Sequence, residues 1–237
     1  MENIMEKISS INWEIVTCEM NEKGYAIVPG FLSADQCKGL IDDYDNTVLY
    51  RKTVVMERYR FGLGEYKYFN YPLPGLLQSI REAIYPPLAK IANGWMKALN
   101  NNQQFPADLQ SLHELCKTHG QTKPTVLILK YGKGGFNTLH QDLYGEIFFP
   151  IQLVLPLSMP EHDFKGGEFV LTQQTPRAQS KAIVLQPATG DMLFFTTNFR
   201  PMKGTKGYYK VNMKHGVSEI LEGNRYSAGI IFHDALT

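Results

Sequence analysis

From Thr125 onward the chain is cut by Gly, Pro and Asn into short extended runs, at 125–131, 147–157, 167–172, 182–186, 191–197, 207–213 and 225–232. No other feature limits the fold as much. Short strands punctuated by turn residues, without helical segments between them, predict an antiparallel sandwich or jelly roll rather than a doubly wound sheet. Upstream the rhythm is helical. Residues 3–20 carry apolar positions at helical spacing, Tyr25–Val28 is a brief strand closed by Pro29-Gly30, and Ser33 with Gln36 forms a capping box that starts a helix to about Tyr44. Residues 75–100 read as a helix interrupted near Pro86-Pro87, with Ile80, Ile84, Leu88, Ile91 and Trp95 as its inward stripe; residues 107–118 read as another. The expected architecture is one domain over 1–237, mainly β, in which a helical buttress with early strands (1–120) supports a β core (121–237).

The 43% hydrophobic and 12% aromatic content is enough for a large packed core. A net charge of +1 neither requires nor excludes a polyanionic partner, so any such partner must be recognised by local charge. Cys18, Cys37 and Cys116 are odd in number and scattered, which argues against a disulfide framework and for a reducing cytoplasm. The charged start Met-Glu-Asn-Ile-Met-Glu-Lys lacks the apolar core of a signal peptide. The longest apolar stretch, Ile147–Leu157, is broken by Pro150, Gln152 and Pro156 and is too short to span a bilayer. A cytoplasmic protein without a membrane partner is expected.

The chemistry concentrates in one place. Leu127–Tyr131 leads through a glycine-rich turn, Gly132-Lys-Gly-Gly135, to an extended segment bearing His140 and Asp142. Residues i and i+2 of a strand face the same way, so an imidazole and a carboxylate would project together and could share a divalent metal. A third ligand is offered by His215 or His233. His215 is followed ten residues later by Arg225, at the mouth of the next strand. Two histidines and a carboxylate on one face of a metal leave coordination positions open, the arrangement of non-haem Fe(II) oxygenases. An arginine nearby can grip a dicarboxylic acid bidentately, which points to 2-oxoglutarate as cosubstrate and O2 as oxidant. His113-x-x-Cys116-x-x-His119 also has a ligand-like spacing, but without a fourth ligand it reads as an ordinary helix face.

These motifs resemble the Fe(II)/2-oxoglutarate-dependent dioxygenase superfamily, through His140-x-Asp142, His215, Arg225-x-Ser227, Gly166-Gly-Glu-Phe169 and Gly190-Asp-Met-Leu-Phe194. More narrowly, the segments at Gly64-Glu-Tyr-Lys-Tyr-Phe69, Tyr71-Pro-Leu-Pro74, His140–Glu146, Asp163–Phe169, His215–Ser218 and Ile231–Ala235 resemble a bacterial family of proposed nucleic-acid oxygenases, from about residue 55 to the end. The resemblance implies a double-stranded β-helix (jelly roll) core. It also implies His140, Asp142 and His215 as iron ligands, Arg225 and Ser227 as holders of the distal carboxylate of 2-oxoglutarate, and Tyr131 as a further cosubstrate contact. Leu129 stands where the dealkylating branch carries asparagine.

Two stretches bear on the substrate. Arg200, Lys203, Lys206, Lys210 and Lys214 place five basic residues and no acid just ahead of His215, a field that would draw phosphates to the pocket mouth, with Tyr208 and Tyr209 available for stacking. Arg58-Tyr-Arg-Phe61 and Tyr66-Lys-Tyr-Phe-Asn-Tyr71 also interleave basic and aromatic residues, a texture that surface strands share and that is read as structural. The expected activity is oxidation of a C–H bond with decarboxylation of 2-oxoglutarate, on a damaged or modified nucleobase. The alternatives are a protein side chain, a small metabolite, or a binding module that has lost its chemistry.

Overall fold

The computed structural model describes residues 4–237; Met1, Glu2 and Asn3, where the first helical reading and the charged N-terminal motif begin, lie outside the described residues. The elements in chain order are α1 (Ile4–Ser9), α2 (Trp13–Lys23), β1 (Tyr25–Val28), α3 (Ala34–Asp42), β2 (Tyr50–Val55), β3 (Gly62–Leu63), β4 (Glu65–Phe69), α4 (Gly75–Ala98) and α5 (Leu109–Thr118). There follow β5 (Leu127–Tyr131), β6 (Phe136–His140), β7 (Ile151–Pro156), β8 (Phe164–Gly166), β9 (Phe169–Gln174), β10 (Ser180–Leu185), β11 (Met192–Thr196), β12 (Phe199–Gly204), β13 (Gly207–Val217), β14 (Ile220–Gly223) and β15 (Arg225–Ile230).

Two antiparallel sheets make the core. The larger runs β1-β11-β7-β15-β5-β4-β2 and the smaller β10-β9-β13-β6-β3, with β12 paired to β13. This is the double-stranded β-helix that the motifs imply. Strand alternation sorts the larger sheet's side chains. Ile128, Ile151, Leu155, Met192, Phe194, Ala228 and Ile230 pack with α4 and its neighbours in the main core. Their strand neighbours Leu127, Leu129, Tyr131, Gln152, Val154, Phe195, Arg225 and Ser227 turn to the other side and line a cavity between the sheets. The β7 strand has helices behind it and the cavity in front, so every residue in it is buried and the run is apolar except for Gln152.

Some boundaries differ from expectation. Residues 4–23 form two helices because Asn12 caps α2, its side chain accepting the N–H groups of Glu14 and Ile15. The Ser33/Gln36 capping box is present and starts α3. The α4 helix continues through Pro86 and Pro87 without interruption. Each proline removes one hydrogen bond, but Ile80, Ile84, Leu88, Ile91 and Trp95 are all at least 95% buried, and that burial outweighs the loss. A fully buried Arg81 ties α4 to the C-terminal segment, pairing with Asp234 at 2.9 Å and donating to the carbonyls of Ile231 and Phe232. The β12 and β14 strands, absent from the expected runs, pair with β13 and β8.

Candidate metal and cosubstrate site

The cavity between the sheets measures about 220 Å³. At one end His140, Asp142 and His215 converge, with one donor atom from each within 4.8 Å of the others. The two histidines meet because β13 pairs with β6 in a register that sets His215 directly opposite His140, ring centroids 4.2 Å apart. Gly216 permits the close approach, since a Cβ there would lie 2.6 Å from the Asn137 carbonyl oxygen. Asp142 arrives by a different route from the one expected. The strand ends at His140, so alternation does not place the carboxylate. Its backbone N–H donates to the Thr197 hydroxyl at 3.0 Å, while Gln141 turns away to the carbonyls of Asn198 and Met213.

Hydrogen bonds prepare the donors. The His140 Nδ1 lies 2.7 Å from the Thr138 carbonyl, which accepts its proton and leaves Nε2 free to face Asp142 at 3.5 Å. The His215 Nε2 is 3.3 Å from the other carboxylate oxygen. Tyr144 donates its hydroxyl to Asp142 Oδ1 at 2.6 Å and Gln152 donates to Oδ2 at 2.8 Å. Burial alone would raise the Asp142 pKa, but hydrogen bonding to His215, the two imidazoles and the Tyr144 hydroxyl hold it well below the usual carboxylate range. Burial, with His140 beside it, pushes His215 down, so its ring is neutral. An ionised carboxylate beside two imidazole nitrogens is a donor set a divalent metal can take, and the N2O combination fits Fe(II).

Arg225 and Ser227 stand on the opposite wall. Register places Arg225 across from Tyr131 and Ser227 across from Leu129. The guanidinium is 95% buried, donates to Ser227 Oγ at 3.3 Å, and has no carboxylate at ion-pair distance among the described residues. Burial lowers its pKa, yet a guanidinium stays charged at physiological pH. A buried, unpaired cation facing a cavity is costly unless an anion joins it, and a ligand carboxylate supplies one. Gly167, at φ 65°, makes room: a Cβ there would overlap Ile220 and approach the Arg225 side chain to 3.0 Å. The Tyr131 ring is fully buried, 5.8 Å from the guanidinium, and its hydroxyl accepts from Asn137 at 3.3 Å.

The remaining expectations divide. His233 points elsewhere: its Nδ1 accepts the Phe149 N–H at 3.1 Å, and burial pushes its pKa down to about 4. His113 lies 3.0 Å from the Phe232 carbonyl through Nε2, His119 bonds the Leu115 carbonyl, and Cys116 is buried, so these three form no metal cluster among the described residues. Arg200 corrects the reading of the basic segment. It is 97% buried and donates to Gln173 and to the carbonyls of Asn21 and Pro201, its alkyl stem packing beside Gly24, the cap residue that follows α2. Lys203, Lys206, Lys210 and Lys214 are exposed, but alternation along β13 turns Lys210 and Lys214 to the side opposite His215. Lys206, at the hairpin tip, is nine residues from His215, or roughly 30 Å at strand rise. These lysines do not frame the pocket mouth. Sequence reasoning missed Tyr144 and Gln152, of which only the polar Gln152 inside an apolar strand gives a local signal.

A family model described as an oxygenase catalysing oxidative methylation of damaged DNA matches residues 64–235. A Mycobacterium tuberculosis protein described as uncharacterized is 44% identical over 167 residues, covering 70% of this chain and 72% of its own. A Trichoplax adhaerens prolyl hydroxylase, solved with a hypoxia inducible factor peptide fragment, superposes with a TM-score of 0.59 at 15% identity, over 98% of this chain and 92% of its own. A Pseudomonas putida prolyl-4-hydroxylase gives 0.56 at 13%, over 94% and 98%. A 2OG-Fe(II) oxygenase family oxidoreductase of Burkholderia pseudomallei gives 0.53 at 15%, over 95% and 92%. The chain belongs to the family of damaged-DNA oxygenases, on the fold of the Fe(II)- and 2-oxoglutarate-dependent enzymes and with a donor set that suits them.

Proposed function

We propose that this oxygenase oxidises a C–H bond of a damaged or modified nucleobase, with His140, Asp142 and His215 holding Fe(II) and with Arg225, Ser227 and Tyr131 receiving 2-oxoglutarate. The observation that carries the reading is the convergence of a His-Asp-His donor set and a buried, unpaired arginine on one cavity. Ferrous iron, when bound, supplies the activation of O2 that is coupled to decarboxylation of the keto acid. The chain's own residues do the positioning. Asp142 stays ionised between Tyr144 and Gln152. Arg225 with Ser227 selects a diacid of the right length by a charge-assisted bond in a desolvated pocket. Apolar walls at Leu127, Leu129 and Val154 exclude water.

The balance is one O2 and one 2-oxoglutarate consumed, with succinate, CO2 and a hydroxylated substrate formed; a hydroxylated N-methyl group then leaves as formaldehyde, returning N–H. Aromatic side chains Phe61, Tyr66, Tyr68 and Tyr144 line the cavity, which favours a planar substrate over the prolyl side chain handled by enzymes of the same fold. A base must be unpaired or flipped to reach the donors. Cys18, Cys37 and Cys116 are free, the last two buried, and no helix among the described residues is long and apolar enough to cross a membrane.

The test is succinate formation with Fe(II), 2-oxoglutarate and O2, in the presence of single-stranded oligonucleotides carrying N-methylated bases, against proline-containing peptides. Oligonucleotide-dependent succinate and matching formaldehyde are expected, and His215→Ala should abolish both. Stimulation by peptides alone would overturn the nucleobase reading; full turnover in the His215→Ala variant would overturn the metal site.

A further inference from the structure

The loop between β2 and β3 is exposed where the molecule opens toward the site. Arg58, Tyr59, Arg60 and Phe61 are all solvent-exposed in succession, Tyr59 by 55% and Phe61 by 45%. Large aromatic rings lying side by side in water carry a hydration cost that a lone rim residue does not. Tyr59 and Phe61 are such a pair, stacked with centroids 5.5 Å apart and planes 18° from parallel. The loop is also built to hold its form. The buried Met56 anchors it, the Met56 N–H bonds Gly64 at 2.9 Å, the Phe61 N–H bonds Met56 at 3.1 Å, and Arg60 adopts a left-handed backbone at φ 59°. The Phe61 carbonyl accepts both the N–H and the hydroxyl of Thr138, two residues before His140, and the Phe61 ring lines the cavity. Neither Arg58 nor Arg60 has a carboxylate at ion-pair distance among the described residues.

We propose that Arg58, Tyr59, Arg60 and Phe61 form a lip that binds single-stranded nucleic acid, the aromatic pair stacking on bases and the two arginines meeting phosphates on either side of the base entering the cavity. The proposal rests on the nucleobase reading above and replaces the lysine hairpin as its contact surface. Alternating cation and ring matches the alternation of phosphate and base along a strand, whereas an acidic peptide would use the cations and leave the stacked rings unemployed. Leu143, 45% exposed and adjacent to Asp142, extends the apolar rim on the side of the metal site.

The experiment measures binding of a fluorescein-labelled oligothymidylate to the full chain by anisotropy, from low to moderate salt. Arg58→Gln with Arg60→Gln should weaken binding about tenfold and reduce the salt slope by about 1 to 1.5, as loss of two phosphate contacts on a single strand requires. Tyr59→Ala should weaken it about fivefold or more with the slope unchanged, since stacking is not ionic. Unchanged thermal melting checks the fold, and Tyr59→Trp provides a second measurement, its fluorescence quenched on addition of the oligonucleotide. Should the wild-type chain bind the oligonucleotide while the lip variants keep full affinity, the lip is overturned and the nucleobase reading stands. Loss instead on neutralising Lys203, Lys206 and Lys210 returns the contact to the hairpin. No binding by the wild type at low salt overturns both readings. Arginine-dependent binding of a labelled acidic peptide alone assigns the lip to a protein partner and overturns the proposal.

Discussion

His233 shows how one buried side chain couples the molecule to pH. Its Nδ1 must be unprotonated to accept the Phe149 N–H, and burial pushes its pKa from 6.5 to about 4. His113 is pushed to about 4 as well, by burial and then by Arg81. A folded pKa below the unfolded one means that the unfolded chain binds more protons between the two values, so stability is lost as pH falls from about 6.5 toward 4 and levels off below. For His233 the loss is on the order of 3 kcal/mol. A His233→Gln variant, whose amide oxygen can accept the same N–H, should lower stability at neutral pH but flatten that acid dependence in urea titrations at a series of pH values. At the site itself, Arg225→Gln should raise the KM for 2-oxoglutarate about a hundredfold and change kcat less, because the lost interaction is with the cosubstrate carboxylate. Tyr144→Phe and Gln152→Leu should each weaken metal affinity about 10- to 100-fold, measured by Co(II) titration, since each removes a donor that orients Asp142.

At the level of elements, what could be read from the chain depended on whether the signal was local. The capping box at Ser33 and Gln36 is local chemistry, and α3 starts where it says. Punctuation by Gly, Pro and Asn located β5, β9, β11 and β15 within a few residues, because turn residues mark where a short strand ends whatever the burial between them. The α4 helix was legible over its length but its continuity through Pro86 and Pro87 was not, since proline is a local breaker and the apolar stripe that overrides it acts through contacts with distant strands. That stripe should therefore hold the helix together. Leu88→Ala is expected to cost about 2–5 kcal/mol by denaturant unfolding, the range for a fully buried leucine that leaves a cavity. The lysines of the β12–β13 hairpin lie away from the pocket mouth for an equally physical reason: charge read along a sequence does not say which face of a strand carries it.

Across the whole molecule, the helices act as a backing plate for the larger sheet, and the cavity opens on its other side. The Arg81–Asp234 pair locks plate to sheet at the chain's C-terminal end, with the Gln121 side chain bonding Asp234 and Ile147 beside it. Removing one member leaves the other charged and buried, so Arg81→Met should cost about 3–5 kcal/mol in unfolding experiments.

The amino-acid sequence by itself determined the class of fold, through short punctuated strands, and nominated the chemistry, through a His-x-Asp pair, a later histidine and an arginine ten residues beyond it. The sequence favoured His215 over His233 through the arginine that follows it and the family resemblance; only the tertiary structure supplied the contact, because the register that sets His215 against His140 on β6 spans 75 residues of chain. It also decided which cations face the cavity. Burial claimed Arg200 for packing, alternation turned the hairpin lysines outward, and pairing of β15 with β5 set Arg225 on the cavity wall; pairing and burial are relations between distant segments, and no single stretch contains them.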